Sequence, residues 1–224
     1  MSFMLQFPPS TFPVPTNIDR RAYADIFIGN INISQKIPRI PLAMLLHFAP
    51  NLAKYLESVT MQSGAPHNDR CLNLPNESAE IYGIQVIISR MLQLSGIASP
   101  PIIHEPNTII GAIRILRAWR LFGIDMKGAS SIHTRILAVL WLHTIKNNEV
   151  EAIWEYFEKD NPIVNAMIQN IVNNCALGEI NGVEYTKIRY YARGHPSLSG
   201  RIREATAALD RKVTKEETAT RSQH

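Results

Sequence analysis

Seven histidines and two cysteines are the residues of this chain best suited to hold a metal or to pair a nucleophile with a base. Their spacing argues against both. His47, His67, His104, His133, His143, His195 and His224 include no pair four apart, the step that puts two imidazoles on one helix face. Neither Cys71 nor Cys175 belongs to a Cys-x-x-Cys element, and two reduced thiols are a simpler account of them than one long-range disulfide. There is no Gly-x-Ser-x-Gly elbow, and Gln62-Ser63-Gly64 falls in a loop-like run without a recognisable base. The run from Gly194 to Arg201 superficially suggests a phosphate loop. Its glycine spacing is one residue too long, and Arg201 stands where the phosphate-binding mechanism uses Lys. Glu149, Glu151, Glu155 and Glu158 make an acidic face, but carboxylates do acid–base work only in a water-poor cleft that shifts their pKa values. No enzyme signature, metal site or cofactor is expected.

Arg114, Arg117 and Arg120 form a row with threefold spacing, and Arg201, Arg203 and Arg211 lie in a basic C-terminal stretch. These cations could contact phosphates, with affinity that falls steeply with salt. No zinc finger, basic zipper or aromatic RNA-binding motif accompanies them. The formal net charge of +4 is uneven, because residues 181–224 hold nine basic and five acidic side chains while residues 1–180 are balanced. A basic tail on a neutral globule can meet nucleic acid, acidic protein or anionic membrane, and a solvated terminal helix is the simpler reading.

At 224 residues and 46% hydrophobic composition, the chain can bury a genuine core. No basic region followed by an apolar run marks the N-terminus, so no secretory signal is expected. The longest strongly apolar run, 136–142, is too short to span a bilayer. The expected setting is intracellular, in the cytoplasm or nucleus, away from the membrane. The sequons at Asn32 and Asn76 would then stay unmodified.

These residues must be positioned by the following elements. Residues 1–18 hold four prolines and no periodic pattern, which predicts a loose, partly polyproline arm. Asp25 to Ile28, the turn pair Gly29-Asn30 and the alternating Ile31 to Ser34 predict a hairpin. From Pro41 the period becomes helical; Pro50 closes that helix and Asn51 to Leu56 begins a second. After a loop at 62–69, Arg70 to Leu74 alternates as a third strand, and residues 75–78 offer a turn and helix cap. Helices are predicted over 79–94, from the Thr108 cap to Leu121, over 132–145, 149–159 and 162–175, with a Pro- and Ser-containing connection at 99–107. In the helix over 132–145, Ile136, Leu137, Leu140 and Trp141 are expected inside. Residues 179–195 read as irregular, and a last helix runs from Ser197 or Ser199 to about Lys212.

The order strand, strand, helix pair, third strand, then successive helices resembles a BTB/POZ domain. The positions that carry the resemblance are Asp25 at the first strand, Leu45, Leu46, Ala49-Pro50 and Leu52 at the helix-to-helix junction, and Leu72 with Leu74-Pro75 at the third strand. Ile81 to Gly96 and Ile115 to Ile124 are similar to the two helices that follow in that family. The His-Lys pair that usually enters the first helix is absent, with Ile37-Pro38 near that point. Residues 151–157 and 161–167 resemble the helical extension of fungal BTB proteins.

The resemblance implies an α+β fold with a short three-stranded sheet capped by a helical cluster and additional C-terminal helices. The expected organisation is a flexible arm at 1–21, a BTB/POZ-like core at 22–127, a helical extension at 128–178 and a basic tail with one helix at 179–224. It also implies a protein–protein interaction module that self-associates, as a homodimer for example, or acts as an adaptor for a cullin-type ubiquitin ligase. By the same analogy Leu52, Tyr55, Leu56, Ile81 and Tyr82 are candidate partner contacts. The alternative is a nucleic-acid-associated regulator whose patch is Arg201, Arg203 and Arg211. An enzyme with an unfamiliar site stands behind both.

Overall fold

A computed structural model describes residues 4–58, 70–75, 80–97 and 108–221. The expected loops at 62–69 and 99–107 and the cap at 76–78 lie outside these residues. The fold is α+β, with a small sheet and mostly helix, and it divides into two compact units, residues 1–134 and 135–224.

In the first unit, strands β1 (Ala24–Ile28) and β2 (Ile31–Asn32) form the expected antiparallel hairpin, with Gly29 at φ 56° in the turn. Only a residue without a Cβ takes that backbone conformation cheaply. β1 alternates, with Ile26 and Ile28 buried. Strand β4 (Arg70–Leu74) returns parallel to β1, pairing Ile26 with Leu72 and Ile28 with Leu74, so four branched side chains fall on one buried face. The sheet has a fourth strand beyond the three expected. β3 (Leu56–Ser58) lies antiparallel on the far side of β4, giving the order β2-β1-β4-β3. This changes the reading of the second helix at 51–56. Helix α1 (Leu42–Phe48) ends just before Pro50, and residues Pro50–Tyr55 make only a 3-10 helix before the chain pairs Leu56 with Leu72. Proline offers no N–H to continue the α1 ladder, and the β4 edge supplies the hydrogen bonds that a short helix would have left unmade.

Helices α2 (Ile81–Leu94) and α3 (Ile109–Leu121) are the most extensively packed pair in this unit. The approach is close at Gly83, where an added Cβ would run into the carbonyl oxygen of Arg114 and sit 2.9 Å from the Ala118 Cβ. Thr108 caps α3 as expected, accepting from Gly111 N–H at 3.1 Å. Trp119 of α3 is fully buried and donates its indole N–H to the Asp125 carbonyl at 3.0 Å.

The proline-rich arm is docked rather than loose. Leu5 and Phe7 are buried, and the Phe7 ring lies 4.8 Å from Phe48 and 5.0 Å from Trp119. Gln6 N–H donates to Gly128 O at 2.9 Å, and His47 Nε2 lies 2.9 Å from the Thr11 carbonyl. Isolated apolar residues among prolines carry no period, so this burial left no signal in the sequence.

The second unit is helical. Helix α4 (Ser130–Leu142) contains the boundary between the units; α5 (Asn147–Tyr156), α6 (Pro162–Ala176), α7 (Gly182–Arg193) and α8 (Pro196–Arg221) follow. Pro162 takes the first position of α6 behind an Asn161 cap, where its missing N–H costs nothing. α6 packs on α8, α5 on α7, and α7 on α8. Residues 179–224 are thus part of a helical unit. The stretch at 179–195 expected to be irregular is α7, capped by the Asn181 side chain on Glu184 N–H at 2.9 Å. The last helix continues nine residues past Lys212, to Arg221. In α4, Ile132, Ile136 and Leu140 are buried as the period requires. Trp141 is not inside: it is 82% exposed and Leu142 is 76% exposed, because both fall outside the stripe of those three residues.

Asn170 of α6 organises the turn between α4 and α5. Its Oδ1 accepts from Ile145 N–H at 3.0 Å and from the Asn174 amide at 2.9 Å, while its Nδ2 donates to the carbonyls of His143, at 2.8 Å, and Leu140. The side chain is buried, and its bonds to the Ile145 N–H and the Leu140 carbonyl are buried with it.

Candidate functional site

The five candidate partner contacts are carried by two stretches of the first unit. Leu52 and Tyr55 lie on the 3-10 turn and Leu56 opens β3; Ile81 and Tyr82 form the first turn of α2. Leu52 is fully buried, so its side chain is core and not a surface anchor. Packing beneath the turn takes it inward, a distinction that hydrophobic pattern cannot make. Tyr55, Leu56, Ile81 and Tyr82 are each partly exposed. The Lys54 ammonium lies 4.8 Å over the Tyr55 ring, adding a cation to that edge. Asp25 lines a shallow cleft of about 220 Å³ beside Arg21, Tyr23, Ser34 and Arg39, with the Arg39 guanidinium 4.6 Å over the Tyr23 ring.

The three arginines of the proposed patch do different things. Arg201 is committed to packing, donating to the Lys159 carbonyl and to Asn165 Oδ1 across the α6–α8 contact. Arg203 borders a groove between α7 and α8, and Arg211 lies exposed two turns further along α8. Helical periodicity separates residues 201 and 203 by about 200°, so one is turned toward α6 while the other borders α7. The arginine row of α3 is its least buried face, as expected, but each member interacts within the chain, and Arg114 pairs with Glu80.

The histidines have local roles. His195 Nδ1 lies 3.0 Å from the Tyr191 carbonyl, with the two rings 4.3 Å apart. His133 is held below its ordinary pKa by partial burial and by the charge of Arg120. The Lys159 ammonium sits 3.7 Å over the Trp154 ring; desolvation and the neighbouring Arg201 lower its pKa, and Glu155 opposes them. Burial raises the Cys175 thiol pKa, which makes it a poor nucleophile. Both cysteines are free. The described residues include no group of three or more His, Cys, Asp and Glu side chains placed to hold a metal, and no described helix is long and apolar enough to cross a membrane. His67, His104, His224 and Gln62-Ser63-Gly64 lie outside the described residues.

No protein-family model, curated protein or solved structure matches this chain. Function must therefore be argued from the arrangement of its own residues.

Proposed function

We propose that the first unit is a BTB/POZ-like interaction module and that the chain acts by binding protein, either a second copy or a cullin-type scaffold. The observation that supports this reading is topological. A β1–β2 hairpin feeds α1 and a short helical turn, and β4 returns parallel beside β1 before the α2–α3 pair. The exposed parts of Tyr55, Leu56, Ile81 and Tyr82 are the apolar surface such a module would offer. Docking there would bury aromatic and aliphatic area, the usual source of binding energy at protein interfaces. With Arg201 bound into the α6–α8 contact, no observation favours the nucleic-acid reading over this one.

The test combines light scattering of the purified chain with capture from its own nuclease-treated cell extract. Self-association, or recovery of a cullin, that is lost in Tyr55→Asp and Tyr82→Asp variants of unchanged melting temperature supports the proposal. A monomer at high concentration that recovers no cullin, or partners indifferent to both substitutions, overturns it.

A further inference from the structure

Between α7 and α8 runs an open groove of about 510 Å³ that lies wholly within the second unit. Its floor is apolar: Ile188 and Ala192 of α7 are buried, and Ile202 of α8 is half-buried. Its borders are cationic. Arg189 and Arg193 stand on one wall and Arg203 on the other, all exposed. Arg189 lies 5.7 Å over the Tyr185 ring and Arg203 Nε donates to the Ser199 carbonyl at 3.4 Å, but no carboxylate pairs with any of the three among the described residues. Arg189 and Arg193 are four apart on one helix, so their guanidinium groups repeat along the groove at about one helical turn, 5–6 Å.

We propose that this groove is a docking site for an acidic amphipathic helix of a protein partner. A helix laid along it would set its apolar stripe on Ile188, Ala192 and Ile202. Carboxylates one turn apart on that helix would meet Arg189 and Arg193, and one on its other flank would meet Arg203. Guanidinium groups suit this task because they pair with carboxylates in a fork geometry and are weakly hydrated for a cation. Helix-in-groove docking takes its affinity from the apolar stripe and its selection from flanking charge.

Two features favour a peptide over a phosphate chain. Ile188, Ala192 and Ile202 give an apolar peptide stripe a surface to bury against that a phosphate chain cannot use, although Tyr185, Ser199 and Thr206 also line the groove. Asp210 also borders the groove, and its negative charge repels a continuous polyanion while it can pair with a cation on a peptide. The site is independent of the surface proposed for the first unit, so either proposal can fail alone.

The experiment is selection of random 16-residue peptides displayed on phage against the immobilised full chain, followed by fluorescence anisotropy of enriched peptides. We expect enriched sequences to carry Glu or Asp three or four residues apart beside an apolar stripe. The Arg189→Glu, Arg193→Glu double variant should weaken them about tenfold or more. Ala207→Trp, which fills the groove without changing charge, should weaken them comparably. Both substitutions fall at exposed positions, and circular dichroism melts identify any variant that fails to fold, leaving the other to decide. Enrichment without acidic bias, or affinity unmoved by the folded variants, overturns the proposal. So does tighter arginine-dependent binding of a labelled DNA duplex or of phosphatidylserine vesicles, which would make the groove a phosphate site.

Discussion

The seat of Phe7 and the groove between α7 and α8 are two apolar hollows with opposite fates. The first is filled by the chain's own arm, with aromatic contacts to Phe48 and Trp119, a backbone bond at Gln6 on one side and the His47 ring against the Thr11 carbonyl on the other. Residues 1–18 contain no charged side chain, and the guanidinium beside the arm, that of Arg90, gains a partner because it donates to the Leu5 carbonyl at 3.3 Å. The second hollow is open and bordered by three exposed arginines. Closing it with an uncharged segment would strip water from those guanidinium groups without returning a partner. The difference teaches that a hollow whose neighbouring guanidinium finds a backbone carbonyl can be covered in cis by an uncharged arm, whereas three exposed arginines without carboxylate partners select an occupant of opposite charge.

The sharpest way to break the first half of this comparison is to empty the filled hollow. Phe7→Ala should destabilise the protein by about 3–5 kcal/mol through lost burial and the cavity left beside Phe48 and Trp119. Phe12→Ala, at a ring 42% exposed, should cost far less. Urea unfolding of both variants decides it; equal and small losses would mean that the arm is not a structural element.

Asn170 tests the second unit, on which the open groove depends. Asn170→Ala would leave the Ile145 N–H and the carbonyls of His143 and Leu140 without that side chain. The expected loss is on the order of 2–3 kcal/mol, the cost of unmade buried hydrogen bonds, read as a lower urea midpoint. Gly83→Ala should cost about 1–3 kcal/mol, since the added Cβ meets backbone at Arg114 that has nowhere to retreat. A neutral Gly83→Ala would show that α2 and α3 separate freely at that point.

Much of this architecture was legible because it repeats. The α2, α3 and α6 stripes, the Thr108 cap and the hairpin turn all announce themselves by period or local chemistry. What was illegible has a physical reason in each case. α7 buries chiefly Ile188 and Ala192, too few apolar positions to raise a helical period, although Asn181 and Gly194 mark its ends. β3 exists because β4 has an edge to pair with, a non-local cause that three residues cannot display. The groove is less legible still. Arg203 carried a visible charge, but Arg189 and Arg193 acquire their meaning only when α7 and α8 are laid side by side. Their fourfold spacing within 179–195 was the available signal, and reading that stretch as irregular hid it.

The smallest expected effect concerns the start of α7, the element that carries two of the groove's arginines. Glu184 Oε1 accepts from the Lys187 ammonium at 2.8 Å and Oε2 from Asn147 N–H at 3.0 Å. The bond from Lys187, then that from Asn147, hold its carboxyl below the ordinary value. The unfolded chain therefore takes up this proton first as the solution is acidified. The stabilisation is complete above the unfolded pKa, about 4.3, and is lost as pH falls through the lower folded value. In Glu184→Gln the charge is gone at every pH. Parent and variant should thus differ in urea midpoint near neutral pH, with the parent the more stable, and the gap should narrow as the solution is acidified below the unfolded pKa. The carboxylates common to both proteins move the two curves together, so the gap reports Glu184 alone. A gap of unchanged size from neutral to acid pH would mean that the tie between α7 and Asn147 does not depend on the charge.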